Sequence, residues 1–273
     1  MGENRSRIKK KYICKLCGEE YDYNKMSDEH YPAKSVGNDD VGELDITKLF
    51  DLMMSDHFRK ETIEKIKNGE EFQNIYDEVF DNQLFKSTYP KGRTARTLCQ
   101  KCNTFLGKYD EAYLRFFNAD GNPQKIKGFT KETKYKIIKS IYAKFLSIPE
   151  AIEEKFDFIE FIKDSSSIDY NGIWNLYFIK RNDTSDFLDL KDIGTGKLIF
   201  DEGVVYEFSD EKFIFNLMNF KIHSCFKMTD IFEILNKNFV LTEGVDENGG
   251  YHGQLMMLRQ FSSMNIDDDI KNN

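Results

Sequence analysis

The spacing of apolar residues divides this 273-residue chain into stretches of different period. Residues 11–37 show short extended pieces and turns without a sustained repeat. Between residues 43 and 80, Leu49, Leu52 and Met53, then Ile63 and Ile66, then Phe72, Ile75 and Val79 recur at helical spacing. That stretch predicts two helices, with Gly69 as the stop between them. "STYPKGRTART" reads as a loop or strand with a basic tip. From Cys102 to Phe117, Phe105, Leu106, Tyr109, Tyr113, Phe116 and Phe117 give an amphipathic helix. After the linker-like "GNPQKIKG" (Gly121–Gly128), Ile137, Ile138, Ile141, Tyr142 and Phe145 mark a helix that runs up to Pro149. Pro149 suits the first turn of a following helix, with Ile152, Phe156, Ile159 and Ile162 as its stripe.

Beyond "DSSS" the period shortens. "IWNLYFIK", "GKLIF", "GVVYEF" and "KFIFNLMNFKIHSCF" predict four or five strands, followed by a short helix from about Thr229 to Leu235. "NIDDDIKNN" reads as a frayed acidic tail. The pattern predicts an α+β protein. Its parts are residues 1–118 with an acidic helical insertion at 39–81, a helical connector at 129–164, and an α+β region at 170–273 without a recognisable motif.

Charged residues at 32% and aromatic residues at 14% exclude a disordered chain. No apolar run approaches a membrane span, and the first residues lack a signal-peptide core. The expectation is a cytoplasmic protein with no membrane partner. Met1-Gly2 with Ser6 matches the myristoylation pattern, which is short enough to arise by chance.

The net charge of −8 conceals a division along the chain. Residues 39–81 carry five Lys/Arg against thirteen Asp/Glu, whereas residues 82–118 carry seven against two. Residues 1–38 are also basic, with eight against six. Segregation of this kind leaves a polyanionic partner open.

Both basic segments carry cysteines. Without a secretion signal, Cys14, Cys17, Cys99, Cys102 and Cys225 are expected to be reduced, which favours metal over disulfides. Cys14-Lys-Leu-Cys17 and Cys99-Gln-Lys-Cys102 are two Cys-x-x-Cys knuckles, each able to chelate from one tight turn. Together they can close a tetrahedral structural zinc site; a redox pair is the alternative. Cys225 stands alone and reads as a small core residue. Between the knuckles, "SDEHYPAKS" places Asp28 and Glu29 directly before His30, a poor combination for an apolar core.

Taken together, "CKLC…SDEHYPAKSVG…TLCQKCNTFLGKYDE" resembles the HNH endonuclease family in its zinc-stapled form. The match covers Cys14–Cys17, Glu29–His30 with Pro32 and Gly37, and Cys99–Asn103 with Gly107 and Lys108. The resemblance implies a ββα-metal fold and metal-dependent hydrolysis of DNA phosphodiesters, the DNA double-stranded. Relatives of this kind often serve in restriction or phage defence. His30 would be the general base, its imidazole half-deprotonated near neutral pH. Glu29 and Asn103 would hold a catalytic Mg²⁺ or Mn²⁺, and the four knuckle cysteines a structural zinc. Asp28 is the alternative carboxylate. Lys91, Arg93, Arg96 and Lys101 would meet phosphates. In two respects the sequence departs from the family: Arg93, Thr94 and Arg96 stand where a middle Asn is usual, and the gap from His30 to Cys99 is long.

Each residue also has an ordinary explanation. His30 alone suits a polar turn, Asn103 a helix cap, and the four basic residues a solvated face. His57 reads as a surface residue of the insertion, His223 and His252 have no accompanying ligand pattern, and Trp174 with the Phe-rich strands reads as core. The competing function is a catalytically inactive zinc module that binds nucleic acid or a protein. If the acidic insertion lay over the site, it would repel DNA until an activating partner protein or ligand moved it.

Overall fold

β1 (Lys11–Ile13) and β2 (Glu20–Asp22) pair antiparallel on either side of the first knuckle. Gly18 closes that turn at φ 78°, and its N–H donates to the Cys14 carbonyl at 2.8 Å. β3 (Glu29–His30) follows. The structure, a computed structural model, describes residues 11–39, 41–126, 128–181, 193–221, 228–239 and 241. His223, Cys225, His252, the Met1–Ser6 pattern and the acidic tail lie outside the described residues.

The chain forms two units, one of residues 39–92 and the other of residues 1–38 with 93–273. The 39–92 unit is a ribbon of β4 (Val41–Leu44) and β5 (Phe85–Tyr89), with α1 (Ile46–Met54), α2 (Asp56–Lys67) and α3 (Phe72–Val79) between them. The sequence pattern predicts two helices where three form. Ser55 is the extra break: it ends α1, and its Oγ accepts from the Phe58 N–H at 3.2 Å to start α2. Ile63, Ile66 and Phe72 are exposed, while Ile75 and Val79 are buried.

Back in the first unit, β6 (Thr94–Ala95) pairs antiparallel with β3, Glu29 opposite Ala95 and His30 opposite Thr94. The pairing continues as Ser27 N–H to the Leu98 carbonyl at 2.8 Å and a bridge between Met26 and Cys99. Asn38 fastens the two ends where the other unit departs. Its fully buried amide donates to the Pro32 and Arg93 carbonyls at 2.7 and 2.9 Å and accepts from the Arg93 N–H at 2.6 Å.

α4 (Gln100–Asn118) starts at the second knuckle, and α5 (Lys131–Lys144) packs along it. α6 (Ile159–Lys163) is shorter than the apolar stripe after Pro149 predicts. The reason is that Phe156 and Phe158 both turn inward and stack at 4.6 Å, a two-residue spacing no helix allows. The remaining strands are β7 (Asn175–Lys180), β8 (Thr195–Phe200), β9 (Gly203–Ser209), β10 (Phe213–Met218) and β11 (Thr229–Asp230). They form one antiparallel sheet in the order β11-β7-β10-β9-β8. A 3₁₀ turn, Ile231–Leu235, stands where the short final helix is expected.

β10 presents Phe213 and Phe215 to α4, where they meet Phe116 at 5.5 Å and Tyr113 at 6.0 Å between ring centres. Trp174 is buried against Phe156 and Tyr206. The three segments read separately in the sequence therefore share one hydrophobic core, which runs from Cys14 to Phe239. No helix among the described residues is long and apolar enough to cross a membrane.

Two predictions follow from this packing. Asn38 already holds the Arg93 backbone, so replacing residues 39–92 with a short Gly-Ser linker should leave the first unit folded. Its far-UV circular dichroism and cooperative melting test this; a molten product would contradict it. The second concerns Asp210, which accepts from Tyr113 Oη and from the Lys212 and Phe213 N–H groups at 2.8 Å. Burial pushes its carboxyl up to about 6, against the lowering effect of those hydrogen bonds. A folded-state value above the unfolded one gives stability that is complete below about pH 4 and is lost as pH rises through about 6. Asp210→Asn should therefore gain stability relative to the wild type as pH is raised from about 4 to 7. Urea titrations at several pH values would show a constant difference if the assignment were wrong.

Candidate functional site

The two knuckles converge although 81 residues separate Cys17 from Cys99. The Sγ atoms of Cys14, Cys17, Cys99 and Cys102 all lie within 4.8 Å of one another. A tetrahedral ion with Zn–S bonds of about 2.3 Å needs sulfur separations of about 3.8 Å, so these four thiols are placed to hold a metal ion such as zinc. Backbone amides already point at the sulfurs: Cys99 N–H donates to Cys14 Sγ at 3.3 Å, and Cys102 N–H to Cys99 Sγ at 3.4 Å. Such donors stabilise thiolate, the form that binds metal. Cys14 and Cys99 are buried, and none of the four is in a disulfide.

Strand alternation sorts the residues beside this cluster. Glu29 turns inward and is 5% exposed. Its Oε1 accepts from Lys144 Nζ at 2.5 Å, and the same ammonium donates to Asp110 Oδ2 at 2.9 Å. Asp110 Oδ1 accepts in turn from Ser140 Oγ at 2.6 Å. Burial alone would lower the Lys144 pKa, but Asp110 and Glu29 outweigh it and hold the ammonium well above the ordinary lysine range.

His30, the next residue along β3, faces the other way, with its cross-strand neighbour Thr94. Asp28 also lies outside and is clasped by Arg96 through two bonds, Nε to Oδ1 at 2.7 Å and Nη2 to Oδ2 at 2.9 Å. Arg96 further donates to the Tyr23 carbonyl at 3.2 Å and stacks on the Tyr23 ring at 3.9 Å. Asn103, in the first turn of α4, donates from Nδ2 to Ser27 Oγ at 2.6 Å. Cys99 caps that helix, accepting from Cys102 N–H, so Asn103 is not its N-cap.

The structure thus gathers Glu29 and Asn103 along one stretch, Met26 to His30, each held by a side chain of the protein. Arg93 is half-buried and Lys101 exposed in the same unit; Lys91 is exposed in the other unit. His57 is exposed on α2. Asp110 and Lys144 escape the sequence reading. The available signals are a lysine inside the apolar run "IIKSIYAKFLSI" and an aspartate two helical turns after Asn103.

As placed, Glu29 does not fit a hydrated divalent ion, because an ammonium already occupies its oxygen. Comparison with known protein families, curated proteins and solved structures found no match to this chain.

The cysteine cluster predicts about one zinc per chain in protein purified without added metal, as measured by elemental analysis. Folded, zinc-free protein, or a Cys14–Cys17 disulfide, would contradict it.

Proposed function

We propose that this protein is a zinc-stapled HNH-type endonuclease that hydrolyses DNA phosphodiester bonds. One observation carries the reading. Residues 26–30, the returning residues 94–99 and the start of α4 follow one another as strand, strand and helix, and they meet at a four-thiol cluster. In this reading the zinc is structural. It fixes the hairpin to the helix so that His30 projects from the outer face of β3.

The chain's own residues then divide the work. His30 takes the proton of an attacking water, a task suited to an imidazole near neutral pH. Arg93, Arg96 and Lys101 draw in and orient phosphates, and Arg96 is already stiffened by Tyr23. A Mg²⁺ or Mn²⁺ ion would supply Lewis-acid stabilisation of the phosphate, with the Asn103 amide oxygen as a suitable donor.

A second reading is a catalytically silent zinc module that binds nucleic acid or a protein. The specific observation in its favour is that both carboxylates preceding His30 are taken, Asp28 by Arg96 and Glu29 by Lys144.

Plasmid cleavage with Mg²⁺ or Mn²⁺ separates the two. The nuclease reading expects cutting by the wild type and a loss of about 10²- to 10⁴-fold in His30→Ala. Zinc content and melting temperature of that variant should stay unchanged. Wild-type protein that binds DNA yet never cuts it would establish the silent module instead.

A further inference from the structure

Asp28 and Arg96 meet one step along the hairpin from the His30–Thr94 pair, on the same outer face. Arg96 holds Asp28 side-on, with Nε and Nη2 donating to the two carboxylate oxygens. A guanidinium takes two oxygens of a phosphate with the same fork. The third nitrogen is committed elsewhere: Nη1 donates to the Tyr23 carbonyl, while the guanidinium lies over the Tyr23 ring. Both of these supports come from Tyr23, and neither involves Asp28. The direction of the fork is therefore set independently of the anion that fills it.

That anion is a replaceable one. The Asp28 side chain is 54% exposed, so its carboxylate regains water as it leaves, and an exposed ion pair adds little to stability. Glu29 differs, because breaking its buried bond to Lys144 would strand a charge in the interior. Resting on the nuclease reading above, which brings DNA to the face of His30, we propose that Arg96, braced by Tyr23, is a preformed site for a DNA backbone phosphate, and that Asp28 fills it as an internal stand-in until a phosphate takes its place. The guanidinium stays paired throughout the exchange, and the phosphate arrives one step along the hairpin from His30. Asp28 thereby acts in substrate entry, and the exposed Tyr23 gains a role that no motif in the sequence suggests.

Binding of a short fluorescein-labelled DNA duplex to the zinc-loaded, full-length protein tests this, read by anisotropy at several salt concentrations without added Mg²⁺ or Mn²⁺. Arg96→Gln should weaken binding and lower the slope of log affinity against log salt by about one. Asp28→Asn should tighten binding by about two- to fivefold, the range that an exposed ion pair is worth. In the Arg96→Gln background the same Asp28→Asn change should bring no gain. A gain of equal size there would mean that only a negative charge had been removed from the surface, and would overturn the exchange. So would unchanged affinity in an Asp28→Asn protein that keeps its zinc and circular dichroism. Should that variant fail to fold, Arg96→Lys decides, since lysine keeps the charge but has neither the fork nor the stacking plane. Binding as weak as that of Arg96→Gln supports the proposal, and wild-type affinity overturns it. Cleavage with Mg²⁺, assayed in parallel, keeps the two ideas apart. A wild type that cuts DNA, beside a gain that ignores Arg96, sinks only the exchange. An Arg96-dependent gain without any cleavage supports the exchange and sinks the nuclease.

Discussion

Four thiols within 4.8 Å of one another cannot all ionise unless a cation sits among them. That electrostatic condition organises the rest of the unit. The first knuckle comes from a tight turn between β1 and β2, and the second ends a strand and begins α4. Hairpin, returning strand and helix start are each too short or too polar to fix their own geometry. A metal ion bound to all four sulfurs would set their relative positions, and its binding energy would count as folding energy. The inserted unit between them adds loop length, but loop-closure entropy grows only slowly with length, so a 54-residue excursion from Asp39 to Gly92 is tolerable. Asn38 reduces even that effect by joining the excursion's ends through three hydrogen bonds.

The second support comes from α5, which meets the site region with polar groups rather than apolar ones. Ser140 bonds Asp110, Lys144 bonds Glu29 and Asp110, and Ser147, just beyond the helix, bonds Thr97 at 2.8 Å. These positions recur at helical spacing, so one stripe faces both α4 and the residues that lead into the second knuckle. A polar seam of this sort adds less net stability than an apolar one, because desolvation offsets much of the attraction. What it supplies is register: a slide or rotation of α5 would strand a buried charge. The apolar side of the unit, where Phe116 and Phe178 close on Phe213, supplies the bulk of the burial.

Sequence pattern is a good guide wherever one face of an element is buried and the other is wet. The α4 stripe and the β7 and β8 strands are legible for that reason, β10 as a short apolar run buried on both faces, and the four cysteines because their paired spacing has few other uses. Legibility fails where the deciding contact is remote. Nothing near Lys144 in the sequence says that its partners are Glu29 and Asp110, 115 and 34 positions away. Ser55 splits a helical run by capping, a choice that apolar periodicity does not register. The Phe156–Phe158 pair breaks the predicted stripe because a stacked aromatic contact outweighs helical repetition. Separate domains also look plausible from a linker-like stretch such as "GNPQKIKG", until long-range packing places what precedes and follows it in one core.

Asp28, Glu29 and His30 raise the sharpest question in the sequence: why three adjacent ionisable groups should sit where a strand forms. Alternation resolves it. The two outer positions, Asp28 and His30, share the face that carries Arg96 and Thr94, and the central Glu29 takes the inner face with Lys144. A charged residue is tolerable inward only because a helix from far along the chain brings an ammonium to meet it. That inward bond anchors a two-residue strand whose ladder alone would be weak. The orientation of His30 thus depends on where Glu29 is held.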